Sequence, residues 1–186
     1  LKSRNQGYSH FMFDTERGAS STIGADSAGA AYTTSRLSSF NNNGFSLGND
    51  SFANGSGNQY VSWSFLKQEG FFDIVTYTGN DTARTISHNL GSTPGMILIK
   101  DLAVGYNWMV WHRSFSNSNY YNHLNTSDGF FSNSDVWGSN PTSTVFSLGN
   151  HSYVNNNGTN YVAYIFAHDA QNFGDDEDGA IIKCGT

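Results

Sequence analysis

The sequence predicts an all-β protein of two tandem antiparallel β-sandwich units, jelly-roll or lectin-like in kind, with the first unit incomplete. Three observations carry this reading. Apolar and polar residues alternate with a period of two in several short runs, and no window sustains a helical period. Clusters of Asn and Gly separate those runs, as tight hairpins require. The chain also repeats itself at a spacing of about 100 residues, the size of one small β-sandwich.

The repeat is read directly. Phe45-Ser46-Leu47-Gly48-Asn49 recurs as Phe146-Ser147-Leu148-Gly149-Asn150. Downstream and without a gap, Gly57 meets Gly158, Tyr60-Val61 meets Tyr161-Val162, Trp63 meets Tyr164 and Phe65 meets Phe166. Upstream, with a small shift, Leu1-Lys2 corresponds to Ile99-Lys100 and Gly7-Tyr8 to Gly105-Tyr106. The second copy carries a leading section, Phe71 to Leu98, that the first lacks. Residues 1–70 are therefore expected to be the C-terminal part of a first repeat and 71–186 a second repeat, with 181–186 starting a further unit. The start on Leu rather than Met fits a first unit whose leading section lies upstream.

The elements follow in order. Tyr60 to Phe65 alternates, with Val61, Trp63 and Phe65 on one face, and reads as a strand. Phe72 to Tyr77, Arg84 to His88, Met96 to Lys100 and Asn107 to His112 read likewise, with Pro94-Gly95 as the loop entering Met96. Tyr161 to Phe166 is the copy of the first strand, but Ala163 and Ile165 replace its serines, which predicts deeper cover. Turns are expected at Asn41 to Gly44, Asn54-Gly55, Gly79 to Asp81 and Asn155 to Gly158. Ala25 to Ala31 reads as loop.

Composition narrows the function classes. Charged residues are 13% of 186, aromatics 15%, and there is one Cys. Aromatic residues at that frequency can build a core, so disorder is not expected. One Cys excludes a disulfide scaffold and a Cys-based zinc site. The formal net charge is −6 and no Lys or Arg occurs between Arg113 and Lys183, so nucleic acid is not an expected partner. No apolar run reaches the roughly 18 residues of a membrane span.

Few motifs carry chemistry. Asp175, Asp176 and Asp178, around Glu177, form an acidic turn that reads either as a solvated charge run or as a calcium loop of hard oxygen ligands. No other cofactor is expected. His112 aligns with Asp14 and His151 with Asp50, so no duplicated catalytic dyad is visible. Asp14, Glu16, Asp128 and Asp135 are the carboxylates that a glycosidase would need to bring together. Tyr120, Tyr121 and Trp137, with Phe130 and Phe131, lie in a stretch dense in Asn and Ser. They read either as core or as a glycan platform of aromatic faces and amides. Cys184 reads as a small buried hydrophobe or a free thiol.

One ordered succession of residues resembles a known family. Asp73 to Asn80, Arg84 to Gly91, Pro94 to Ile97, Trp108 to Arg113, Pro141 to Phe146, Tyr161 to Asp169 and Phe173 to Asp176 are similar to a tandem-repeat domain of unknown function. That domain occurs in tail-fibre-like virion proteins of marine tailed phages, cyanophages among them. The first unit resembles a sister version through Lys2 to Arg4, Tyr8 to His10, Phe13-Asp14, Arg17-Gly18 and Leu37 to Phe40. The resemblance implies a non-enzymatic structural and adhesive role at the virion surface, and other virion subunits as partners. It further implies assembly as a homo-oligomer, with a trimer as the expectation, and a host surface glycan as receptor. It supplies no catalytic residues. The rival readings are a carbohydrate-binding module and a glycan depolymerase.

Overall fold

A computed structural model describes residues 1–168 and 181–185. The molecule is all-β, with several antiparallel sheets and, among the described residues, two single-turn helices. The first seven strands are β1 (Lys2–Ser3), β2 (Phe11–Met12), β3 (Ser21–Gly24), β4 (Tyr32–Thr33), β5 (Leu37–Asn41), β6 (Gly44–Leu47) and β7 (Tyr60–Val61), with α1 (Ser51–Asn54) between the last two. Then come β8 (Phe72–Thr78), β9 (Arg84–Ser87), β10 (Pro94–Asp101), β11 (Met109–His112), β12 (Tyr120–His123), β13 (Phe131–Ser132) and β14 (Val145–Leu148). The helix α2 (Ser152–Asn155) leads into β15 (Asn160–Ala167).

The main sheet has six strands in the order β13-β12-β11-β10-β15-β8, all antiparallel. The neighbouring strands β10 and β15 are buried on both faces, which explains the near-continuous apolar run of β15. On one face Tyr161, Ala163 and Ile165 meet Ile97, Ile99, Met109 and Trp111. The paired strands β9 and β14 cover that face with Ile86, Phe146 and Leu148. On the other face Val162, Tyr164 and Phe166 pack with Phe72, Ile74, Leu98 and Trp108. Ile23 of β3 closes that face, with Met12 and Ala31 packed against it. Ala163 and Ile165 thus replace serine because a second layer covers them, each such side chain contributing about 1–3 kcal/mol. Cys184 joins the same cluster as a buried small side chain, its thiol donating to the Ala167 carbonyl at 3.4 Å.

The repeated residues take matching pairings. Lys2 faces Val61 and Ser3 faces Tyr60, as Lys100 faces Val162 and Asp101 faces Tyr161. Leu1 and Phe11 exchange both main-chain hydrogen bonds, where Ile99 pairs with Met109. Phe11 faces Gly24 as Met109 faces His123. The repeated glycine of Phe-Ser-Leu-Gly-Asn has a steric cause. A Cβ at Gly48 would overlap the Ser35 carbonyl oxygen, and one at Gly149 the Asp135 carbonyl oxygen. Those close approaches let Gly48 donate to Arg36 and Gly149 to Val136, each at 3.0 Å.

The structure corrects two sequence expectations. The strand expected over Tyr60 to Phe65 stops at Val61, and Trp63, 71% exposed, points to solvent. Its neighbour β1 reaches no further than Lys2 on that side, so Ser62 onward has no ladder to join. Pro94-Gly95 is not a loop but the start of β10, where a bulge between Pro94 and Met96 absorbs the missing Pro donor. His151 and Asp50, which differ in type, do the same work. His151 Nδ1 accepts from the Tyr153 N–H at 3.2 Å, and Asp50 accepts from the Phe52 N–H at 2.8 Å, so each caps its helix. The turn at Asn42-Asn43 and the loop at Ala25 to Ala31 are as the sequence predicts.

Candidate functional site

The most developed polar site lies where residues from the first copy meet the second. The turn after β2 places Asp14 and Arg17 together, and Gly18 at φ +85° closes that turn. Arg17 Nε donates to Asp14 Oδ2 at 2.6 Å, and the Arg17 N–H donates to Oδ1 at 2.8 Å. Tyr164 of β15 donates its hydroxyl to the same Oδ2 at 2.5 Å and accepts from Arg17 Nη2 at 3.1 Å. Both charged side chains are almost fully buried. Burial pushes the Tyr164 phenol well above its usual range, Asp14 adding to the shift and Arg17 opposing it. A buried ion pair is tolerable only when its remaining lone pairs and protons are met, and here they are.

Two further contacts complete this joint. The Lys100 ammonium, fully buried, donates to the carbonyls of Asp101 and Tyr106 at 2.9 Å and of Ala28 at 3.1 Å. Burial lowers its pKa to about 8, against the pull of the Asp101 carboxylate. Lys2, its counterpart, makes the local half of this arrangement by donating to Ser3 and Gln6. The indole N–H of Trp108 donates to the Gly24 carbonyl at 2.8 Å with the ring fully buried. Largely buried and saturated with partners, these groups hold surfaces together. Against the joint runs an open groove of about 420 Å³, lined by Glu16, Arg17, Thr76, Tyr77, Leu102 and Asn160 among others.

The other candidate residues disperse. Tyr120 and Tyr121 are consecutive on β12, so they point to opposite faces. Tyr121 goes inward and stacks on Phe131 at 5.4 Å, and Trp137 is fully buried in the same core. Tyr120 stays at the surface in an edge-to-face pair with Phe130, 5.0 Å between centroids, and Phe130 is 64% exposed. Tyr120, Tyr121 and Trp137 therefore do not form one surface. Of the carboxylates, Asp14 is enclosed as described, Glu16 pairs with Lys67 at 3.3 Å, and Asp128 and Asp135 lie exposed. Asp175, Asp176 and Asp178 lie outside the described residues. Among the described residues no three His, Cys, Asp or Glu side chains group as a metal site.

In the sequence Asp14 stands only as one of several loose carboxylates, and Lys100 and Trp108 only as strand residues. The available signal was an acidic and a basic residue three apart on a turn, plus a lysine inside an apolar strand.

A family described as a domain of unknown function, DUF7483, matches residues 1–174. The chain belongs to it. The match covers the residues of the joint and the sheets on either side of it. No curated protein and no solved structure matches this DUF7483 chain.

Proposed function

We propose that this DUF7483 protein is a structural segment of a phage virion, a tail fibre or similar surface appendage with an adhesive role. It is built from tandem antiparallel β-sandwich units of jelly-roll or lectin-like type. The observation that carries this reading is the joint. Copy packs on copy through a buried ion pair, a caged lysine and a buried tryptophan, not through a flexible linker. A joint of that kind transmits bending and tension, the task of a fibre. A surface of Asn and Ser with little charge keeps such a rod hydrated. The resemblance to phage tail-fibre repeats supports the location, and implies other virion subunits and a homotrimer as partners. Antibodies against this chain, applied to purified particles of the encoding phage, are expected to label a tail appendage in electron micrographs. Particles free of label while the infected lysate contains the protein overturn the reading.

A second reading, carbohydrate binding, is favoured by the Tyr120–Phe130 pair at the surface. Its test is a glycan array probed with the chain and with Phe130→Ala. Binding lost in the variant supports a stacking platform there, and no binding by the parent chain removes it.

A further inference from the structure

We propose that Ser62–Leu66, with the outer edge of β6, is an acceptor site for a strand–turn–strand segment of the Phe71–Leu98 type. The argument comes from the second copy, which shows the same surface covered. There Tyr164, Ile165 and Phe166 are paired on one side with Leu98, Ile97 and Met96, and on the other with Ile74, Asp73 and Phe72. Their counterparts Trp63, Ser64 and Phe65 have no strand paired on either side, although the Phe65 ring touches Phe71, Phe72 and Phe166 at 5.7–6.2 Å between centroids. The exposures record the difference. Tyr164 is 3% exposed and Trp63 71%; Ala167 is 0% exposed and Leu66 75%.

The second edge agrees. β14 pairs with β9 on one side, while Ser139 and Thr142 lie along its other side through bonds to Ser147 and Val145. The Gly48-to-Arg36 bond matches the Gly149-to-Val136 bond, so β5 occupies the side of β6 that the segment around Ser139 occupies on β14. The side that β9 fills on β14 has no strand on β6 among the described residues. Both open edges thus call for the two strands and the leading half of β10 that one continuous segment, Phe71–Leu98, supplies in the second copy. In that copy β10 passes unbroken from Leu98 to Ile99, the counterpart of Leu1. Phe72 there lies parallel to Tyr164, 9° between planes and 6.3 Å between centroids, and its equivalent would cover Trp63. A row of large apolar side chains on unpaired backbone is the surface that strand addition satisfies.

This inference rests on the tandem reading but not on location, so it stands or falls separately from the particle-labelling result. The experiment compares the chain with one carrying a copy of Phe71–Leu98 directly ahead of Leu1. Amide hydrogen exchange at Trp63, Ser64 and Phe65 is expected to slow by about 100-fold or more. Acrylamide quenching of tryptophan fluorescence is expected to fall as well. Trp63 is the exposed one of four tryptophans, and the copied segment contains none. Should the extended chain fail to fold, the Phe71–Leu98 peptide is titrated onto the parent chain with the same readouts, and saturable protection is expected. Unchanged exchange at those three amides, with the added segment folded or the peptide in excess, overturns the proposal. Protection already present in the parent chain and lost on dilution also overturns it, because a second copy would then be the occupant.

Discussion

The Tyr164 hydroxyl donates to the Asp14 carboxylate at 2.5 Å, a bond between residues 150 positions apart that ties the two copies of the repeat together. With Arg17 it makes a buried three-membered network in which each member limits the freedom of the others. Tyr164→Phe removes one charge-assisted bond and is expected to cost about 1.5–3 kcal/mol. Arg17→Met leaves a buried carboxylate without its cation and is expected to cost about 3–5 kcal/mol. Urea midpoints measure both, and a double-mutant cycle of Tyr164→Phe with Asp14→Asn should show clear coupling. Additive effects would mean that the bond does not operate in solution.

Lys100 makes stability depend on alkaline pH. Its folded pKa, about 8, lies below the ordinary value of 10.5. Between those two values the unfolded chain binds more protons than the folded one, so stability rises with pH through that window and is flat below it. Relative to Lys100→Met, the parent protein should gain about 3 kcal/mol from pH 8 to pH 10.5. Chemical denaturation at stepped pH gives the difference. A gap that does not change with pH would refute the burial of the ammonium.

Acid acts through the imidazoles. His88, His112, His123 and His151 all have pKa values lowered, first of all by burial. His88 Nδ1 accepts from the Leu90 N–H, and His151 Nδ1 caps α2, so protonation removes an acceptor at each. Because the folded values lie below 6.5, stability is full above that pH and falls as pH drops through the window beneath it. His151→Asn keeps a capping oxygen and removes one titration, so its urea midpoint should fall less than the parent's between pH 7 and pH 5. Parallel curves would show that His151 is not coupled to folding.

The repeated glycines should be intolerant of any side chain. Gly149→Ala drives a methyl group into the Asp135 carbonyl, and Gly48→Ala does the same at Ser35. Backbone must move in both, so a loss of about 3 kcal/mol or more is expected from thermal or urea unfolding. Gly129→Ala, where nothing stands within 4 Å, is the control and should stay within about 0.5 kcal/mol of the parent.

Much of the fold could be read from the chain. Short runs rich in β-branched and aromatic residues mark β8, β9, β11 and β15 nearly to their ends, and Asn-Gly clusters mark the turns. Both are local properties of a few residues, carried by backbone sterics and side-chain direction. The candidate site was far less legible. Tyr120 and Tyr121 look alike in sequence, yet one faces the core and one faces water, which depends on which side of β12 a second layer covers. His151 and Asp50 look unlike, yet both cap a helix turn, because the geometry asks only for an acceptor at that point.

By itself the sequence determined the all-β class and the hundred-residue repeat, since alternation and turn chemistry act over a few residues at a time. Only the tertiary structure decided what those strands meet. Whether Lys100 is solvated or caged, whether Asp14 is a free carboxylate or one member of a buried network, and whether Trp63 lies covered like Tyr164 or bare all depend on partners far away in the chain. Burial is a property of the assembled layers, and identical residues in two copies differ wherever one copy has a neighbouring strand and the other does not.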